Sequence, residues 1–223
     1  MGLFLIIIIG VVGFIVQARL QNVFNKYSKV LAPGGMTGRE AAEKMLRDYG
    51  IRDVKVVSTP GKLTDHYNPT NKTLNLSASV YNSNSVAALA VAAHECGHAV
   101  QHAEGYTPLQ IRSVLVPVVQ FSSMWAQLVL IVGLLLVESF PALFWVGIAM
   151  FAMIVLFSMI TLPVEYNASN RALAWLERSN SLTPVQVEQD EVTLKWAART
   201  YVVSALSALA TLIYYLGFAR DND

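Results

Sequence analysis

Cysteine is nearly absent: Cys96 is the only one in 223 residues. A single thiol excludes an internal disulfide framework and any site built from four cysteines. Charge is scarce as well. Charged residues make up 14% of the chain and hydrophobic ones 54%, where an ordinary soluble domain carries roughly 25% charged residues. Such a composition excludes a disordered chain, which needs low hydrophobicity. Sixteen basic and fifteen acidic residues leave a net charge of +1. No global field then draws the chain to nucleic acid, and nucleic acid is not expected as a partner. Internal repeats and low-complexity tracts are also missing.

The apolar residues are bunched. Residues 2–16, 113–137, 142–163 and 200–219 form four runs without a charged side chain. A spanning helix needs about 20 apolar residues, so the last three runs qualify directly. The first is short and extends to residue 20 by taking in Ala18 and Leu20. It lacks a basic leader and a small-x-small cleavage site, so an uncleaved anchor is expected. The predicted class is a mainly α-helical membrane protein of about four transmembrane helices (2–20, 113–137, 142–163 and 200–219), with the lipid bilayer as its surroundings. Of the 16 basic residues, 11 lie in residues 17–112 and four in 164–199; the turn 138–141 has none and the tail has Arg220 alone. The positive-inside rule places both polar segments, 21–112 and 164–199, in the cytoplasm and both termini outside, as four spans require.

Residues 21–112 read as a small α+β segment. Pro33-Gly34-Gly35 is a break. Thr37 with Glu40 three residues later forms a capping box for a helix through Ala41, Ala42, Met45 and Leu46 that stops at Gly50. Val54, Val56 and Val57 mark a strand, and residues 62–67 and 72–77 are two more, joined by the turn Asn68-Pro69-Thr70-Asn71. Residues 84–103 predict a long alanine-rich helix, closed by Gly105 and Pro108.

That helix carries His94-Glu95-Cys96-Gly97-His98, the pattern H-E-x-x-H. Residues four apart share a helical face, so both imidazoles reach one ion. Neutral imidazole is a good zinc ligand, and zinc lowers the pKa of its water to roughly 7. Glu95, beside that face, is placed to take a proton from such a water. Three of the four histidines lie within residues 94–102. A catalytic zinc needs a third protein ligand and an open position. His102 is about 12 Å along the helix axis from His94, which suits a supporting role better than ligation. His66 sits on a predicted strand. Glu165 stands two residues past Pro163 at the cytoplasmic end of the third span and is the better choice. The strand at 72–77 would hold an extended substrate by β-addition.

Two further strings carry a resemblance. Leu162-Pro163-Val164-Glu165-Tyr166-Asn167-Ala168-Ser169-Asn170-Arg171-Ala172-Leu173 is one, and Asp65-His66-Tyr67-Asn68-Pro69 ahead of Ala92 to Gln101 is the other. Together they resemble the neutral zinc metallopeptidases of bacterial membranes, the YugP type, over most of the chain. More distantly the arrangement is similar to the HtpX and CAAX prenyl protease group of gluzincins. The resemblance implies that Glu165 is the third zinc ligand beside His94 and His98. It also implies a bacterial cytoplasmic membrane and a setting in membrane quality control or processing. The distant group has an aspartate four residues after the ligand glutamate; this chain has Ser169 there, which can accept from an imidazole N–H without bringing a charge.

Arg171 is read two ways, as a stabiliser of the tetrahedral oxyanion or as an anchor at lipid headgroups. Tyr166 and His66 are alternative oxyanion donors. Asn75 reads as a solvated strand residue before it reads as a substrate contact. Cys96 reads as a small packed residue, and Gly97 as a place where another backbone approaches the helix. Gln120, Ser123 and Gln127 fall on one face of the second span, where polar groups are expected to turn inward and bond between helices. Ser204, Ser207, Ala208 and Thr211 make a small-residue face on the fourth.

The function expected from these residues is that of an integral-membrane zinc metalloendopeptidase. Zn²⁺ is held by His94, His98 and Glu165, and Glu95 is the general base. The substrate is an extended peptide or a membrane protein at the cytoplasmic face, and the spans leave room for a membrane partner or a homo-oligomer. The alternative is a membrane scaffold or adaptor with a structural or vestigial metal site.

Overall fold

The computed structural model describes residues 2–221. In chain order the elements are α1 (Gly2–Tyr27), α2 (Gly38–Asp48), β1 (Lys55–Thr59), β2 (His66–Asn68), β3 (Thr73–Ser77), α3 (Ala78–Tyr81), α4 (Val86–Ala103), α5 (Thr107–Leu135), α6 (Pro141–Arg178) and α7 (Pro184–Asp221). Contacts divide the chain into two compact units. Of the described residues, one comprises 2–15, 110–163 and 200–221; the other comprises 16–109 and 164–199.

The first unit holds the apolar stretches of α1, α5, α6 and α7, four helices long and apolar enough to cross a membrane. Its surface suits lipid. Phe4, Phe14, Val114, Met124 and Leu135 are each at least 70% exposed, a display that water penalises and hydrocarbon tolerates. Helical backbone satisfies its own polar groups, which a bilayer demands. Inside the unit, Leu130, Phe144 and Ile148 form a small core. A Cβ on Gly133 would lie 2.6 Å from the Phe144 Cα, and one on Gly147 2.9 Å from the Leu130 side chain. The close approach of α5 and α6 therefore depends on small residues. The polar stripe on α5 departs from the sequence expectation: Gln120, Ser123 and Gln127 are exposed. The buried face runs through Val119, Ser122, Ala126 and Leu130, where short side chains let helices close up. Gln127 still donates to the Tyr215 hydroxyl at 3.1 Å, and Ser204 and Thr211 bond back to Thr200 and Ser207 carbonyls of their own helix.

The second unit is the α+β part, and its local signals are those of the sequence. The Thr37 hydroxyl accepts from the Glu40 amide at 3.2 Å, while the Glu40 carboxylate accepts from the Thr37 amide at 2.8 Å. Gly50, at φ 72°, ends α2 in a conformation that side chains avoid. Ser85 caps α4 by accepting from the Ala88 amide. Leu74, Leu76, Leu89, Met45, Trp175 and Leu176 are all fully or almost fully buried in one core. Trp175 and Leu176 come from α6, which the sequence ended as a span at residue 163. The helix instead continues through Pro163 to Arg178, because the residues beyond it bury apolar surface against α2 and α4 elements of the core. Trp175 Nε1 also donates to Asp48 on α2 at 2.9 Å.

The sheet has the order β1-β3-β2, with β1 parallel and β2 antiparallel to β3. This corrects the expectation that residues 72–77 hold the substrate. β3 is the central strand and spends both edges on its neighbours, so the available edges belong to β2 and β1. The predicted 62–67 strand shrinks to His66–Asn68, because Gly61 at φ 103° and Leu63 at φ 57° make the segment before it a turn.

α4 and α6 cross at Gly97. A Cβ there would fall 2.5 Å from the Ala168 carbonyl oxygen, so only glycine permits this separation. Gly97→Ala is expected to destabilise the protein by about 1–3 kcal/mol through overpacking, seen as a lower thermal midpoint in detergent. A second prediction concerns α7. Asp190 is fully buried, and among the described residues neither carboxyl oxygen has a hydrogen-bond partner. Burial pushes its carboxyl from the ordinary 3.8 to about 9. Folding then takes up a proton throughout that interval, so this group makes stability fall as pH rises from about 4 to about 9. Asp190→Asn is expected to flatten the dependence, measured as thermal midpoint against pH.

Candidate metal centre

α4 presents His94 and His98 one turn apart, and the crossing at Gly97 brings α6 alongside with Glu165. The ligand atoms of His94, His98 and Glu165 all lie within 4.8 Å of one another. Nε2 of His94 is 3.3 Å and Nε2 of His98 is 3.6 Å from the same Glu165 oxygen. The imidazole rings stand nearly perpendicular, at 85° and 4.9 Å between centroids. Glu165 is 2% exposed and His98 7%. Burial works against charge on Glu165, but the two imidazoles outweigh it and hold its carboxyl below the usual carboxylate range.

Each histidine is oriented from behind. Nδ1 of His94 lies 3.1 Å from the Ser169 hydroxyl, and Nδ1 of His98 lies 3.0 Å from Gln101 Oε1. The Gln101 amide has no orientational choice, because its Nε2 donates to the Val164 carbonyl at 2.8 Å and to Asn167 Oδ1 at 2.9 Å. Its oxygen must therefore accept from His98 Nδ1–H, which leaves the Nε2 lone pair facing Glu165. Asn167 Oδ1 accepts a second bond, from Arg171 Nε at 2.7 Å. The Arg171 guanidinium then pairs with Glu104, the residue that ends α4, at 2.7 Å.

Glu95 is buried beside this cluster. Burial first, then Glu165 and Asp65, push its carboxyl up against the opposing pull of His94 and His66, to about 7. That value suits an acid–base group at neutral pH. His66 is exposed on β2, with Nδ1 2.7 Å from the Thr64 carbonyl. Asp65 fixes this strand's entry by accepting from the Ser77 amide at 2.7 Å and the Ser77 hydroxyl at 3.0 Å. His102 stands apart from the three converging donors. Its Nδ1 is 2.8 Å from the Tyr67 hydroxyl, tying β2 to α4. Tyr166 is 44% exposed. Asn75 sits on the central strand and bonds to Thr73. Cys96 points away toward the Ala42 carbonyl, and burial pushes its thiol well above the usual range.

Three residues of this arrangement escaped the sequence reading: Gln101, Asn167 and Glu104. The signal for two of them was spacing. Gln101 is three residues after His98 and Asn167 four before Arg171, so each shares a helical face with a residue already singled out, whereas Glu104, the C-cap of α4, carried no such signal.

The family model described as "Putative neutral zinc metallopeptidase" matches residues 2–220. The chain is also similar to "Putative membrane protease YugP" of Bacillus subtilis (strain 168), with 40% identity over 216 residues, 96% of this chain and 95% of that protein. No solved structure matches it. With converging imidazole and carboxylate donors, four helices fit to cross a membrane and a match running almost end to end, the chain belongs to the neutral zinc metallopeptidase family of membrane proteases.

Proposed function

We propose that this protein is an integral-membrane zinc endopeptidase that hydrolyses extended peptide segments at the cytoplasmic face. The observation that carries the reading is the convergence of His94, His98 and Glu165 beside a buried Glu95. The donor set fits zinc: two imidazole nitrogens whose opposite N–H groups are already engaged, and one carboxylate oxygen. Bound there, zinc would supply Lewis acidity toward a carbonyl and toward water.

The chain's own residues account for the rest. Glu95 accepts the proton of the attacking water and returns it to the leaving amine nitrogen, which breaks the C–N bond without leaving a charged amide anion. Burial gives its carboxyl a proton affinity near neutrality, so both transfers are close to balanced. His66 lies on the edge strand β2, but its Nδ1–H is given to the Thr64 carbonyl, so the ring donates to an oxyanion through Nε2 only as the imidazolium, which is the form proposed for that role. Arg171 has its Nε and one terminal nitrogen engaged behind His98, and its proposed task is to hold Asn167 and Gln101 in place. The substrate pairs along the outer edge of β2, which His102 and Tyr67 pin to α4. The bias of basic residues to residues 17–112 and 164–199 supports a cytoplasmic site. A peptide or a membrane protein segment, and a second copy as neighbour, are both compatible with these spans.

Purified protein is expected to contain near one zinc per chain and to lose it in Glu165→Ala, with casein cleavage stopped by chelator and restored by zinc. Glu95→Gln should keep its zinc and lose about 10²–10⁴-fold in rate; hydrolysis at the wild-type rate would overturn the mechanism. Gln101→Leu removes the acceptor for His98 and is expected to weaken zinc affinity about 10–100-fold, read by chelator competition. Gln101→Glu keeps an acceptor for His98 but turns the donations to the Val164 carbonyl and Asn167 Oδ1 into oxygen–oxygen contacts, so it is not expected to restore the affinity.

A further inference from the structure

The sheet has two edges, and the metal centre accounts for one. β2 lies against α4, whereas β1, at the opposite side, lies against α2 and α3. Two strand spacings, about 10 Å, separate β1 from β2. Lys55–Thr59 pairs with Thr73–Ser77 through one side only, and among the described residues no strand covers its other side. An exposed edge of this kind displays unpaired N–H and C=O groups and is a template for another chain.

Beside that edge is a cavity of about 560 Å³. Leu46, Ile51, Val54 and Val56 supply its apolar wall. Val56 stands opposite Leu74, on the face of the sheet that meets the core, so the cavity lies where alternate side chains of an added strand would point. The rim is basic. Arg47, Arg52 and Lys55 all line the cavity and all are exposed. The one acid in the lining, Glu43, is already paired with Arg39 at 2.7 Å.

We propose that β1 is a docking edge, separate from the metal centre, that captures an extended acidic protein segment by strand addition. Backbone bonds along β1 supply the register, apolar side chains at every second position enter the cavity, and acidic side chains meet Arg47 and Arg52. The pairing resembles strand addition in general physics: main-chain bonds give affinity, and pockets for alternate side chains give selectivity. Basic residues on the rim steer an acidic partner and repel a basic one. The surface is independent of the hydrolytic reading, since binding there needs neither zinc nor Glu95.

The test uses the full-length protein in neutral detergent and a fluorescein-labelled ten-residue peptide that alternates valine and glutamate. Its integrity after each run is checked by mass spectrometry. Saturable binding by anisotropy is expected, weakening with salt, and a peptide with lysine in place of glutamate should not bind. The double variant Arg47→Glu, Arg52→Glu alters only exposed side chains and should bind at least about tenfold more weakly, with unchanged thermal midpoint and zinc content. Alternate N-methylation of the peptide should abolish binding in one of its two frames. Binding that survives the double variant would assign the peptide elsewhere, β2 included, and overturn the proposal. Binding indifferent to N-methylation in both frames would overturn strand addition. Absence of peptide binding, with anionic lipid bound through the same arginines, would assign the basic rim to a membrane surface instead.

Discussion

The approach of α4 to α6 at Gly97 is the contact on which the centre depends. His94 and His98 need only a helix to share a face, but Glu165 comes from sixty-seven positions further along the chain than His98. It reaches them because the Ala168 backbone sits where a side chain on residue 97 would be. A Cβ would force the two helices apart, and the three donors would no longer fall within 4.8 Å. The core around this crossing is built from alanines: Ala92, Ala93, Ala99, Ala168 and Ala172 are all essentially buried. Small side chains bring backbones close, and close backbones keep long polar side chains within bonding reach.

Around the donors the polar groups are neutral where they touch the histidines. The Ser169 hydroxyl bonds to the imidazole of His94 and Gln101 accepts from that of His98, and the charges, Arg171 and Glu104, lie one step further out and neutralise each other. A neutral acceptor orients an imidazole without making it more basic, whereas a carboxylate would do both. Gln101 has a second effect. By bonding to the carbonyl of Val164, the residue before Glu165, it couples the orientation of a histidine on α4 to the backbone that carries the carboxylate on α6. Both helices are thereby held in one hydrogen-bonded frame, and every buried amide hydrogen of Gln101 finds an acceptor.

The two sheet edges differ in what surrounds them. β2 is short, packed against α4 and held by Tyr67, His102 and Asp65. β1 is longer and bordered by basic side chains. A three-stranded sheet with a parallel and an antiparallel neighbour for its middle strand leaves two unlike edges.

Much was legible in the sequence because it is local. Uncharged runs of 22 and 25 residues are long enough to cross a membrane, and each lies in a helix long and apolar enough to do so. The Thr37–Glu40 cap, the end of α2 at Gly50 and the one-turn spacing of His94 and His98 follow from helix geometry over a few residues. Glu165 was singled out by its place at the end of the third span and reinforced by the family pattern, and the position of Gly97 foretold a close backbone. What the sequence could not determine was set by partners distant along the chain. The central place of β3, the exposure of Gln120 and Gln127, the continuation of α6 through Pro163 and the engagement of Arg171 with Glu104 each depend on which surfaces meet. Local sequence sets which face a residue occupies; only the folded chain decides what that face is packed against, because burial and pairing energies arise between segments and not within them.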